Sequence, residues 1–318
     1  MKIGVIGAGW WGKNIVNTLD GKDSVERVVV FDDRPSVRDQ FRGNKKTGFV
    51  DSLDQLLGDP SIRAVCVATP PSTHYGISKD VLGAGKHLLI EKPPASDPRE
   101  VRELGSLASA KGLVYMLDAL YLFPEPVRKL KQILQSGELE DLRYIEMFRI
   151  GDELRRENAG ISRIRATMFE RGVDVVEDLF FHDAAVLLDL FGGFEYRSSK
   201  RLRLYDANLS DTIRIDILAR GVPVELTLSW TLAGRRRGMV LYDKNYIVEY
   251  DALKTEHQLT KHRLETNTRE SLSFPPLPPL SALLDFYMGC VEGKHPNPFG
   301  AEFMATITEV WRKIAHEY

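Results

Sequence analysis

Three short stretches carry residue types at spacings that could do chemistry. "EKPP" (Glu91–Pro94) follows the apolar run "HLLI" and puts Lys92 at the end of a strand. "DLFFH" sets Asp178 and His182 four residues apart, one above the other on a single helix face. "VIGAGWWG" sets Gly7, Gly9 and Gly12 in a GxGxxG pattern directly after apolar "KIGVI". An ammonium group stabilises a developing oxyanion, and an imidazole held by a carboxylate moves a proton near neutral pH. A glycine turn opening a helix presents backbone N–H groups to phosphate. The three together imply proton transfer beside a phosphate-bearing ligand.

In the glycine stretch, Gly7 suits the sharp turn, Gly9 the approach of a pyrophosphate, and Gly12 close packing of helix on strand. Asp32 closes the next strand, "VVVFDD", where an acid accepts hydrogen bonds from the adenosine ribose and repels a 2′-phosphate. That favours NAD over NADP, with nearby Arg34 moderating the preference. Trp10 and Trp11 are unexpected in so tight a turn. At the first helical turn their side chains point outward, so they can wall the groove beside the pyrophosphate and nicotinamide. The alternative is that one of them packs beneath the domain. Blander readings also stand beside the other two stretches. Lys92 can be a surface lysine before strand-ending prolines, and Asp178 with His182 can be a self-satisfied pair on an apolar helix.

The elements that would position these residues divide the chain in two. Residues 1–120 alternate apolar strands with helical stretches, the rhythm of an α/β Rossmann domain with a doubly wound parallel sheet. Residues 121–318 read as an α+β domain with a large, mainly antiparallel open sheet, formed by segments such as "TIRIDILAR", "VPVELTLSW", "GMVLYD" and "YIVEYD". "VVEDLFFHDAAVLLDLF" is apolar nearly all round and predicts a helix packed on several sides. "GRRRG" (Gly234–Gly238) reads as a solvated hairpin turn. "VELTLSW" reads as apolar on both faces, which predicts a homodimer or homotetramer through this sheet. In "ELRRENAGISRIRATMFERG", Arg163 and Arg165 suit bidentate phosphate contacts.

Composition narrows the partners. The 318 residues are 43% hydrophobic and 28% charged with a net charge of -2, which gives no electrostatic case for nucleic acid or an anionic membrane. Two distant cysteines make no metal-ligand spacing, so no metal is expected. The start "MKIGVIGAG" reads as a strand rather than a signal peptide, and no apolar run reaches membrane-spanning length. A cytoplasmic location is the expectation.

"VIGAGWWG", "VATPPSTHYGISKDVLGAGKHLLIEKPPA" and "EDLFFHDAAVLLDLFGG" together resemble the glucose–fructose oxidoreductase / inositol dehydrogenase (Gfo/Idh/MocA) family. The resemblance implies a Rossmann domain, an α/β domain whose open sheet often forms the oligomer interface, and NAD(P)-linked chemistry on a sugar or cyclitol. It maps the family's EKP lysine onto Lys92, beside Glu91, and its DxxxH pair onto Asp178 and His182. It puts Thr69, Pro70 and His74 along the cofactor groove. "LYLFPEPVRKLKQIL", which contains Tyr121, and "LSWTLAGRRRGMVLYDKNYIVEYD" look most like the branch that acts on UDP-N-acetylglucosamine-type nucleotide sugars at C3. The chain departs from that branch at Ala119, Pro124 and "FFHD". The implied chemistry is His182 as general base, oriented by Asp178, with Lys92 stabilising the alkoxide. The alternatives are a free cyclitol, hexose or other small carbonyl as substrate, or a non-catalytic NAD-binding protein.

Overall fold

A computed structural model describes residues 1–151, 173–204, 210–275 and 277–316. The chain forms two compact units, Met1–Leu120 with Pro278–Glu309, and Tyr121–Leu277 with Val310–Tyr318.

In the first unit the strands are β1 (Lys2–Ile6), β2 (Arg27–Phe31), β3 (Thr47–Phe49), β4 (Ile62–Val67), β5 (His87–Ile90) and β6 (Tyr115–Leu117). They lie in the order β3-β2-β1-β4-β5-β6, every pair parallel. Ile3, Val5, Val28, Val30, Val65 and Leu88 are all fully buried, because helices cover both faces of such a sheet and its strands must be continuously apolar. The covering helices include α1 (Trp10–Asp20), α2 (Leu53–Gly58), α3 (His74–Gly83) and α4 (Pro98–Ala110). The order reverses direction between β1 and β4. In a doubly wound sheet the ligand crevice lies outside the strand ends at that point.

The sequence boundary near residue 120 coincides with the edge of this unit, but Pro278–Glu309, expected in the second domain, packs with the first. Lys22 donates to the Ser281 carbonyl and hydroxyl and pairs with Asp285, while the Tyr287 hydroxyl reaches the Val65 carbonyl at 3.3 Å. An apolar helix pattern says that a helix is covered, not which sheet covers it.

The second unit is built on β7 (Leu142–Ile150), β8 (Glu195–Leu202), β9 (Thr212–Ala219), β10 (Val222–Ser229), β11 (Arg236–Asp243), β12 (Tyr246–Asp251), β13 (Leu259–Arg263) and β14 (Thr268–Leu272). Their order is β14-β13-β12-β11-β7-β10-β9-β8, antiparallel except where β7 meets β10. Helices α5 (Glu125–Gln135) and α6 (Val175–Phe191) pack on this sheet. Alternation is clean on β9, where Ile213, Ile215 and Ile217 are buried and Arg214 and Asp216 exposed. On β10 it is the residue types that alternate, although Thr227 and Ser229 are buried as well. Val224, Leu226 and Leu228 share one face, and Glu225, Thr227 and Ser229 take the other, so the expectation that this strand is apolar on both faces fails. The apolar content of the outer face comes instead from Tyr144 and Phe148 of β7 and from Val240 and Tyr242 of β11, with the two tyrosine rings 5.7 Å apart.

"GRRRG" is also corrected. The bend ends at Gly234, and Arg236 and Arg237 already belong to β11, pairing with Ile150 and Arg149. Neighbouring strand residues point to opposite faces, so the two guanidinium groups separate.

Helix α6 begins at a capping box, with Asp174 accepting from the amides of Val176 and Glu177 while the Glu177 side chain accepts from the Asp174 amide. It ends at Gly192, whose φ of 71° suits a residue without Cβ. Between those ends the helix is pinned to β7 by one ion pair. Arg149 donates from Nε and Nη2 to the two Asp183 oxygens at 2.6 and 3.0 Å, and both residues are buried.

Candidate functional site

The glycine turn lies between β1 and α1. A Cβ on Gly12 would stand 2.0 Å from the Gly7 carbonyl oxygen, and one on Gly7, at φ +83°, would stand 2.7 Å from the Ala68 carbonyl oxygen. Strand and helix can meet this closely only with glycine at both positions. At Gly9 the nearest atom to an added Cβ is the Arg34 guanidinium at 3.6 Å, so this stretch of backbone is open to an approaching group. Helix α1 has no side-chain cap and no acid in its first turn. Uncapped amides at the positive end of a helix dipole fit a pyrophosphate.

Asp32 is already committed. Its Oδ2 accepts from the Ala8 amide at 2.8 Å and from Arg34 Nη2 at 3.0 Å, and its Oδ1 accepts from the Arg34 amide and Nε, each at 3.0 Å. Burial raises its pKa, but the bonds from Arg34 and the Ala8 amide outweigh burial and hold the carboxyl below the usual range. With both oxygens doubly occupied, Asp32 meets a ribose hydroxyl only if the exposed Arg34 side chain swings away. The sequence places the acid correctly at the strand end. It does not show that the neighbouring arginine covers it.

The two tryptophans divide. Trp10 is 62% exposed. Trp11 is half-buried, and its indole N–H donates to Asp118 Oδ2 at 2.7 Å. Asp118 follows β6, with its amide bonded to the Ile90 carbonyl at the end of β5, two residues before Lys92. The Asp118 side chain is buried, and its Oδ1 has no hydrogen-bond partner. Burial pushes this carboxyl from 3.8 up to about 6, against the opposing effects of the Trp11 bond, the Leu120 amide and the Lys92 charge. Trp11 is thus tied at its indole N–H to a buried acid that sequence reasoning missed.

Lys92 and Glu91 are half-buried at the carboxyl end of β5, and Lys92 precedes a cis proline, Pro93. Thr69 is half-buried and Pro70 exposed at the matching end of β4. His74 does not line a groove. It is 1% exposed, with Nδ1 2.6 Å from the Pro93 carbonyl oxygen and Nε2 2.8 Å from the Thr69 carbonyl oxygen. Its imidazole therefore ties the loop after β4 to the loop after β5. Burial pulls its pKa down, the two carbonyls oppose that, and the Lys92 charge adds to it.

In the second unit Asp178 and His182 occupy one face of α6 and are both half-buried. Tyr121 lies edge-on to the His182 ring with centroids 4.7 Å apart. The Arg149 guanidinium carbon stands 4.2 Å from the Tyr121 ring centroid and that of Arg237 5.5 Å, while Arg237 Nη1 donates to the Tyr121 hydroxyl at 3.4 Å. Desolvation disfavours the Arg149 charge, but Asp183 more than restores it, so the guanidinium stays ionised. Arg149, Asp183 and Arg237 are further residues that sequence reasoning missed. Their signal was present as lone charges inside apolar runs, Arg149 in "MFRIG" and Asp183 in "FFHDAAVLL". Arg163 and Arg165 lie outside the described residues. Among the described residues no group of His, Cys, Asp and Glu could hold a metal ion, and no helix is long and apolar enough to cross a membrane.

Comparison with known proteins shows what the chain is similar to. Residues 1–119 match the Gfo/Idh/MocA model, described as an oxidoreductase family with an NAD-binding Rossmann fold. Inositol 2-dehydrogenase 1 of Saccharopolyspora erythraea is 31% identical over 147 residues, 44% of this chain and 43% of that protein. A 1-carboxy-3-chloro-3,4-dihydroxycyclohexa-1,5-diene dehydrogenase of Comamonas testosteroni is 27% identical over 157 residues, 49% of this chain and 40% of that protein. The chain spans about two fifths of the length of the curated relatives it matches. Among solved structures, UDP-N-acetylglucosamine 3-dehydrogenase GnnA from Acidithiobacillus ferrooxidans superposes with a TM-score of 0.81 at 20% identity, covering 99% of this chain and 96% of that one. KijD10, a 3-ketoreductase from Actinomadura kijaniata in complex with TDP-benzene and NADP, gives 0.79 at 18% identity, covering 99% and 97%. At these identities the two structures share the fold.

The Asp118 carboxyl yields a test of the turn's support. Its folded pKa lies above the ordinary value, so its contribution to stability is complete below pH 3.8 and is lost as pH rises through about 6. Asp118→Asn keeps an acceptor for Trp11 without the buried charge. It should be more stable than the parent at pH 7.5, by on the order of 1 kcal/mol, with the gap closing near pH 4. Thermal melts of both proteins across that range measure this, and equal midpoints at pH 7.5 would contradict it.

Proposed function

We propose, from the match of residues 1–119 to the Gfo/Idh/MocA oxidoreductase model, that the chain is a pyridine-nucleotide-dependent oxidoreductase acting on a sugar ring carbon, C3 of a nucleotide-linked sugar. The Gly7–Gly12 turn and the α1 amides would hold the pyrophosphate, and the Asp32–Arg34 pair would meet the adenosine ribose. A bound nicotinamide would supply the hydride chemistry.

The rest falls to the chain's own side chains. A carbon gives up hydride only as its hydroxyl loses a proton, so a base is needed on that oxygen. His182 fills that role, with Asp178 orienting it on the same helix face. The Lys92 ammonium stabilises the negative charge that grows on the oxygen. The observation that carries this reading is the position of His182, half-buried on a helix fixed by the Arg149–Asp183 pair and braced by the Tyr121 ring. The likeness to GnnA and KijD10 supports a nucleotide sugar as substrate. The similarity to an inositol dehydrogenase favours a cyclitol as the second reading.

With UDP-N-acetylglucosamine as probe, Lys92→Ala and His182→Ala should each lower kcat about 10²-fold or more while NAD affinity changes only a few-fold. Near-parental turnover in either variant removes that residue from the mechanism. A higher kcat/KM for myo-inositol than for the UDP sugar would move the substrate to the cyclitol class.

Cofactor preference is proposed to favour NAD, through the Asp32 charge, with Arg34 reducing the margin by neutralising it. Arg34→Ala should therefore raise the ratio of NADP to NAD dissociation constants about tenfold or more, as a titration of Trp fluorescence would read. A falling ratio would assign Asp32 no part in discrimination.

The outer face of the eight-stranded sheet, around Tyr144, Phe148, Val240 and Tyr242, is proposed as the contact of a homo-oligomer. Light scattering at micromolar concentration should give a dimer or tetramer, and a monomer would exclude it.

A further inference from the structure

The proposed proton transfer leaves one buried charge of the first unit unused, that of Asp118. This residue stands at the carboxyl end of β6, 4% exposed. Its amide is bonded to the Ile90 carbonyl at the end of β5, and its Oδ2 to the Trp11 indole at the start of α1. Three elements therefore converge on one carboxyl, whose Oδ1 has no hydrogen-bond partner. Among the described residues, the titratable groups that act on it are Lys92, after β5, and Cys66, on β4. The Cys66 thiol stays protonated, because burial and the Asp118 charge both raise its pKa. The Lys92 charge favours the Asp118 anion but does not outweigh burial, and the carboxyl is pushed up to about 6. At neutral pH this strand end thus holds an anion that its neighbours offset only in part.

The strand order says which half of a dinucleotide would meet that anion. Asp32, at the end of β2, would take the adenosine ribose, and the glycine turn after β1 the pyrophosphate. In the order β3-β2-β1-β4-β5-β6 the other half would then fall beyond β1, over the ends of β4, β5 and β6. That half carries the nicotinamide ring, a cation when oxidised and neutral when reduced. A carboxylate in a low-dielectric interior attracts the charged ring and leaves the neutral one unaffected. Lys92, at the end of the next strand, repels the same cation, so the Asp118 charge decides how well it is tolerated. We propose that Asp118 is a specificity determinant for the oxidation state of the cofactor, holding the oxidised nicotinamide more tightly than the reduced one. Trp11 fixes the place of that charge through one carboxylate oxygen. The inference rests on the pyridine-nucleotide reading given above and on no particular substrate.

Calorimetric titration of the full chain with NAD⁺ and with NADH tests this, with NADP⁺ and NADPH run in parallel. At pH 7.5 the ratio of the reduced to the oxidised dissociation constant should be about tenfold lower in Asp118→Asn than in the parent. In the parent that ratio should fall about fivefold between pH 7.5 and pH 5, and in Asp118→Asn it should stay level. Attraction to a cation lowers the pKa of the carboxyl, so the oxidised form should also displace a proton. For a tenfold preference the release is about half a proton at pH 5.5, and NADH should displace none. Titrations in buffers of different ionisation enthalpy read that proton in the parent alone, whether or not the variant folds. An unchanged ratio in Asp118→Asn, or equal proton release by the two forms, overturns the assignment and leaves cofactor binding in place. A parent that binds neither pair overturns the oxidoreductase reading, and the assignment with it.

Discussion

Burying a charge is the most expensive thing this chain does, and the second unit is organised around doing it at Arg149. An isolated guanidinium in an apolar interior costs several kcal/mol, and only a partner of good geometry offsets it. Asp183 supplies that partner bidentately, from a helix whose other positions are almost all apolar. The pair fixes the rotation of α6 against β7, because turning the helix by one residue would leave both charges unanswered. With that rotation set, His182, next in sequence to Asp183, is carried to its position beside Tyr121. The register of the sheet then sets Arg237 opposite Arg149 on the same face, which concentrates positive charge at one end of the strands.

The same constraint is met differently elsewhere. Asp211 is fully buried and accepts, among other contacts, from the Thr231 and Thr212 hydroxyls and the Leu204 amide. Asp32 is answered by an amide of the glycine turn and by a guanidinium, which makes the acid part of the turn's architecture as well as a candidate ligand group. Asp118 is answered only in part, by the Trp11 indole N–H, the Leu120 amide and the Lys92 charge, and its Oδ1 has no hydrogen-bond partner. A half-satisfied buried carboxyl costs stability, and such costs are tolerated mostly where a site needs them. Its place behind Trp11, next to the strand that leads into Lys92, is such a setting.

The tight turn accommodates two tryptophans because glycines, not the tryptophans, form its bend. The turn itself is made by Gly7 and Gly12, where any Cβ would overlap a carbonyl. Trp10 and Trp11 occupy the first helical turn, where side chains leave the axis and do not enter the bend. One is left largely to solvent and the other is held by a hydrogen bond.

Much of this was legible in the residues alone. Period and punctuation determine the parallel sheet, since a run such as "KIGVI" ending in glycines is both a buried strand and a phosphate turn, and they determine the apolar helix that carries Asp178 and His182. Spacing along one chain is enough for these, because turn geometry and helix faces are local. What the tertiary structure decided is every property that depends on a neighbour distant in sequence. The Ala8 amide finds Asp32 across 24 residues, Trp11 finds Asp118 across 107, and Arg149 finds Asp183 across 34. His74, expected at the cofactor groove, is drawn inward because two carbonyls from separate loops converge on its ring. Pro278–Glu309 joins the first unit because its apolar face matches that core, although 157 residues of the other unit intervene. Sequence patterns specify which side chains must be covered. Which partner covers them is settled by packing, where charge, volume and hydrogen-bond direction have to be satisfied together.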